Sequence, residues 1–132
     1  MVKRADYTQV KVYATAKNLL ITATELTKSF NREYRFTIGQ DLYKSIIDFI
    51  IMIYDAYIIT DFKTQSDYIT KLKRQLQYVN VYLRLSVGLH LISKDRYIEL
   101  TALTQDADNQ LTGWLYSIQT KLKKASVSGE ST

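Results

Sequence analysis

Apolar residues return every three or four positions through most of this chain, the spacing of helices that each bury one face. One row runs through Ile69, Leu72, Leu76, Val79, Leu83, Ser86 and His90, and a second through Leu100, Leu103, Ala107, Leu111, Trp114, Ile118 and Leu122. Earlier rows are Val12, Ala16, Leu19, Leu20, Ala23, Leu26 and Phe30, and then Leu42, Ile46, Phe49, Ile53 and Tyr57. The pattern predicts four helices, over roughly 8–29, 38–60, 66–92 and 94–124. The polar run Asn31-Arg32-Glu33-Tyr34-Arg35 closes the first. Thr37-Ile38-Gly39-Gln40 reads as a capping box opening the second, Thr64 or Ser66 as the N-cap of the third, and Ser93 with Asp95 as the start of the fourth. Connections this short favour antiparallel neighbours, so the expected fold is an all-α, up-down-up-down four-helix bundle. The bundle domain is expected over 1–124, and 125–132, which has no apolar period, as a disordered tail.

Composition agrees with long helices. The 132 residues include no proline and only four glycines, so the strongest helix breakers are nearly missing. There is no cysteine, which excludes disulfides, thiolate metal sites and cysteine nucleophiles and is compatible with a reducing, cytoplasmic location. The opening residues carry no signal-peptide apolar core. The most hydrophobic run, Ile46 to Ile59, contains Asp48 and Asp55 and is shorter than the roughly 20 apolar residues of a membrane span, so it reads as a buried helix and no membrane partner is expected.

The second helix carries more apolar surface than one core needs. Beside its seam lie Tyr43, Ile47, Ile50, Tyr54 and Ile58, and the third helix adds Lys71, Tyr78, Leu85 and Leu89 on a flank. A bundle helix normally solvates all but one stripe, so Tyr43, Ile47, Ile50, Tyr54, Ile58, Tyr78 and Leu85 are expected to form a homo-oligomer interface. The alternative is a crowded bundle that buries its second helix on two sides.

Enzyme signatures are missing. The single histidine, His90, falls on the third seam and reads as a packed core residue; with Val at position 87 there is no Glu-x-x-His pair for a di-metal site. Asp48 and Asp55 share a helix face, but Lys44 precedes Asp48 by four residues and makes a solvated ion pair the better account. No phosphate-binding or nucleophile-elbow motif occurs. A non-enzymatic protein without catalytic residues, metal or cofactor is expected. Trp114 after Gly113 reads as a close helix contact, with glycine admitting a neighbouring backbone.

The net charge of +5 is uneven. Residues 1–37 carry seven basic against three acidic side chains, 38–60 one against three, and 61–92 five against two. Cations therefore gather on the first and third helices: Lys17, Lys28, Arg32 and Arg35 on the first and its exit, Lys73, Arg74 and Arg84 on the third. Lys73, Gln77, Asn80 and Arg84 share one stripe, and such a row can track a phosphate backbone, although charge runs are most often solvated faces. Of the eleven tyrosines, Tyr7 and Tyr34 lie outside the strongest core stripes and are the best placed to stack on bases, with packing the first expectation even for them.

Tyr82-Leu83-Arg84-Leu85 followed by Gly88, then Leu91-Ile92-Ser93, Tyr97 and Leu111-Thr112-Gly113-Trp114-Leu115, resembles the second half of a four-helix-bundle family with two branches. One branch is the accessory variability determinant protein of diversity-generating retroelements, and the other is the protein encoded in 23S ribosomal RNA intervening sequences. The resemblance covers roughly residues 20–122 and is strongest from 79 to 116. It implies a homopentameric barrel with a basic surface. For the retroelement branch it implies binding to the element's reverse transcriptase and template RNA in support of mutagenic cDNA synthesis. Arg84 matches a third-helix arginine associated with that role, whereas Asn80 stands where the retroelement branch often has another basic residue. The intervening-sequence branch, a self-assembling protein without a reverse-transcriptase partner, stays open.

Overall fold

The computed structural model describes residues 6–127. Four long helices, α1 (Lys11–Thr27), α2 (Gln40–Ile58), α3 (Phe62–Gly88) and α4 (Lys94–Val127), pack together, and no strand occurs among the described residues. α1 and α3 each pack on both α2 and α4, so the four helices enclose a shared core. That core has two adjoining parts. One gathers Val12, Phe49, Ile53, Ile69, Leu76 and Leu111, and the other Leu19, Phe30, Leu42, Leu83, Ile92 and Leu100. The third-helix seam from Ile69 to Ser86 is buried at every predicted position. None of the described helices is long and apolar enough to cross a membrane.

The helix ends depart from expectation for identifiable reasons. Thr37 caps nothing: its hydroxyl donates to the Glu33 carbonyl at 2.9 Å inside a continuing helix. Helical backbone begins instead at Arg32, after Asn31 in extended conformation, and passes through a π segment, Arg35–Gly39, into α2. Gly39 is buried there. A Cβ on it would sit 3.3 Å from the Tyr34 carbonyl and 3.4 Å from the Phe30 ring, so the missing side chain is what lets the widened turn pack against the end of α1.

Asp61, rather than Thr64 or Ser66, caps α3, accepting from the Thr64 amide at 2.8 Å and from its hydroxyl. The helix therefore starts four residues before the expected position. Ser93 caps α4 as expected, accepting from the Arg96 amide at 3.2 Å.

α3 ends at Gly88, and His90 lies beyond the seam rather than on it. His90 is exposed and has φ 60°, while its amide donates to the Val87 carbonyl at 3.1 Å and the Leu91 amide reaches the Ser86 carbonyl at 2.8 Å. These paired bonds are a Schellman turn, with histidine in the left-handed position that glycine usually fills. α4 runs three residues past the expected boundary at Lys124; the remaining expected tail, 128–132, lies outside the described residues.

Candidate interaction surfaces

The second apolar stripe of α2 remains open. Tyr43 is 44% exposed, Tyr54 45% and Ile58 53%, with Ile47 and Ile50 half-buried between them and Ile51 exposed alongside. The stripe lies on one flank of the helix. Tyr54 meets Tyr7 edge-on with ring centroids 5.3 Å apart, and Tyr7 meets Tyr13 of α1 in the same way at 5.4 Å. Tyr7 is thus engaged in packing, and Tyr34 is half-buried against the core.

The other flank of α2 is polar. Asp41, Lys44, Ser45 and Asp48 line a groove with Gln75, Tyr78 and Tyr82 of α3. Lys44 and Asp48 form the expected ion pair at 3.0 Å, and the Gln75 amide donates to the Ser45 carbonyl at 2.9 Å. Further along, the Tyr68 hydroxyl donates to Asp55 at 3.2 Å; burial first, then the adjacent carboxylate, raises the phenol pKa. At 100° per residue Asp48 stands about 120° around α2 from Tyr54. The expected interface therefore divides into the α2 stripe on one side of this groove and Tyr78 and Leu85, both exposed, on α3 at the other.

The seven candidate cations also divide. Arg35 reaches back and donates to the Lys28 and Phe30 carbonyls at 3.3 and 3.4 Å, so it caps the C-terminal end of α1. Lys28 pairs with Glu25 at 3.4 Å. Lys73 turns toward α4, 3.4 Å from Asp108 and 2.5 Å from the Thr112 hydroxyl, in a pair about 30% exposed on each side. Lys17, Arg32, Arg74 and Arg84 are exposed and make no ion pair with a described residue. The expected α3 stripe of Lys73, Gln77, Asn80 and Arg84 is thus half structural: Lys73 is held across the helix interface, and Asn80 is partly buried with its amide 3.5 Å from Gln77.

Sequence reasoning passed over one surface feature and misplaced another. The end of α4 carries Lys121, Lys123 and Lys124, all exposed, with the Lys121 ammonium 5.9 Å from the Phe62 ring centroid. The lysine run was visible, but its emergence beside the start of α3 depends on the length of α4. Gly113, expected to admit a neighbouring backbone, is exposed, and a Cβ there would meet nothing within 4 Å. It borders a cavity of about 610 Å³ between the start of α1 and the middle of α4, with Trp114 half-buried in its wall. Among the described residues no group of three or more His, Asp or Glu side chains is placed to hold a metal ion.

No protein-family model matches this chain, and no curated protein matches its sequence.

Proposed function

We propose that this protein is a non-enzymatic, self-associating accessory factor of a diversity-generating retroelement, binding the reverse transcriptase and its template RNA in the cytoplasm. The observation that carries the reading is the α2 stripe. Tyr43, Tyr54 and Ile58 are each about half in water on a bundle whose core is already complete without them. Burying a large apolar side chain contributes roughly 1.5–3 kcal/mol, and half of that at each of several positions favours self-association. The protomer is taken as an up-down-up-down bundle, in keeping with the contacts from Ser45 to Gln75 and from Lys73 to Asp108, and five copies closing into a barrel is the assembly that the family resemblance implies.

Of the candidate α3 cations, Arg74 and Arg84 are the two that make no ion pair with a described residue and are left for polyanion contact, and repetition around an oligomer makes them multivalent. A second reading, a self-assembling protein of the intervening-sequence branch with no polymerase partner, draws support from the same surface. Lys28, Arg35 and Lys73 are spent on internal contacts, which reduces the cationic face. The test is co-purification with the reverse transcriptase and binding of its template RNA, for the parent and for Arg74→Gln/Arg84→Gln. Loss of both activities in the variant supports the first reading. Assembly without either activity in the parent supports the second.

A further inference from the structure

We infer that the solvent face of α3 is the docking surface for the α2 stripe of a second copy of this chain, so that copies join head to tail through two different faces. The inference rests on the self-association proposed above and names the surfaces that meet. On α3, Tyr78, Val81, Leu85 and Leu89 recur at helical spacing on the side away from the core seam, each between 41% and 53% exposed. This row is as open to water as Tyr43, Tyr54 and Ile58 of the α2 stripe.

One chain cannot cover one row with the other. The Gln75 amide donates to the Ser45 carbonyl at 2.9 Å, which marks the line where α3 meets α2. At 100° per residue Tyr54 lies about 180° around α2 from Ser45, and Leu85 about 80° around α3 from Gln75. The polar groove holding Asp41, Lys44 and Asp48 runs between the two rows. A symmetric pair built on either row buries that row and leaves the other in water. Contact between unlike rows covers both with one interface, and it repeats from copy to copy until the assembly closes.

Charge selects the same pairing. α2 carries Asp41, Asp48 and Asp55 against Lys44 alone. α3 has no acidic residue from Tyr68 to Gly88. Lys73 is taken by Asp108, which leaves Lys71, Arg74 and Arg84 without an ion pair to a described residue. Two α2 stripes brought together set like charge against like, and so do two α3 rows, whereas α2 on α3 sets negative against positive. Arg84 stands about 100° around α3 from Leu85, on the side of Lys73, and stays open to the polyanion contact proposed above.

The test is complementation between Tyr54→Asp and Leu85→Asp, both at positions exposed in the protomer. The readout is sedimentation equilibrium up to several hundred micromolar, with helicity followed by circular dichroism. Tyr54→Asp spoils the α2 stripe and keeps the α3 row; Leu85→Asp does the reverse. Each alone should sediment at the single-chain mass. An equimolar mixture retains one intact contact and should give a pair of twice that mass and nothing larger. Ile58→Asp with Val81→Asp repeats the test at a second position on each face. Either variant assembling alone as the parent does would overturn the inference; if it is Leu85→Asp, self-association through α2 still stands. A mixture that stays at the single-chain mass would overturn it as well. A parent at the single-chain mass would end the self-association reading and this inference with it.

Discussion

Replacing His90 with glycine should stabilise the protein, although it removes a whole side chain. His90 holds φ 60° at the end of α3, where it closes a turn through its own amide and that of Leu91. For an L-residue the left-handed conformation costs roughly 1–2 kcal/mol, and glycine relieves that cost while returning roughly 0.5–1 kcal/mol to the unfolded chain as extra freedom. The side chain is exposed, so little packing is lost, and the net gain is about 0.5–1 kcal/mol. For a domain of this size that is a rise of about 2–6 °C in Tm. The assay is urea unfolding followed by circular dichroism at fixed protein concentration, reading the midpoint at unchanged slope. His90→Ala keeps the strained backbone and should show no such gain, and His90→Val should lose stability because a β-branched residue resists positive φ. A His90→Gly variant less stable than the parent by 1 kcal/mol or more would refute the turn and return His90 to the packed seam.

Gly39→Ala and Gly113→Ala should shift stability in opposite directions. The first is destabilising because its Cβ meets the Tyr34 carbonyl and the Phe30 ring, and the second gains about 0.5–1 kcal/mol from helix propensity in open space; thermal melts decide both signs. Lys73→Ala should cost about 1 kcal/mol by breaking its largely buried link to Asp108 and Thr112, whereas Arg74→Ala and Arg84→Ala should stay within about 0.5 kcal/mol of the parent in the same melts. The carboxyl of Asp61 lies below its ordinary pKa because it accepts from the Thr64 hydroxyl and then the Thr64 amide. A lowered folded-state pKa gives stability that is present above the unfolded value, near pH 4, and lost as pH falls through the folded one. Asp61→Asn should therefore flatten the acid limb of a stability-against-pH curve, and an unchanged limb would show that the cap does not form.

The core was legible because burial follows the helical period directly. Ile69, Leu72, Leu76, Val79 and Leu83 are all buried where their spacing places them. Helix ends were harder for a physical reason. The capping-box spacing at Thr37 and the hydroxyls of Thr64 and Ser66 offer plausible starts, whereas the helical backbone begins earlier. It begins after Asn31, whose side chain makes no capping bond, and after Asp61, whose carboxylate, a stronger cap than threonine, accepts from the Thr64 amide. The π segment before α2 depends on Gly39 fitting against Phe30 and Thr27, a contact between separate helical segments. His90 was misplaced because its spacing continues the seam after the helix has stopped. On the surface, the open stripe of α2 was visible as surplus apolar positions. The engagement of Lys73 was not visible, since its partners Asp108 and Thr112 come from another helix far along the chain.

Self-association through the α2 stripe is the claim on which the functional proposal stands, and light scattering coupled to size exclusion tests it most directly. The parent at micromolar concentration should show a mass several times the 15.4 kDa of one chain, with five as the expected multiple. Tyr54→Asp and Ile58→Asp, both at positions open to solvent in the protomer, should fall to the single-chain mass while keeping their helicity. A parent that elutes at the single-chain mass across that concentration range, or aspartate variants that assemble as the parent does, would contradict the account.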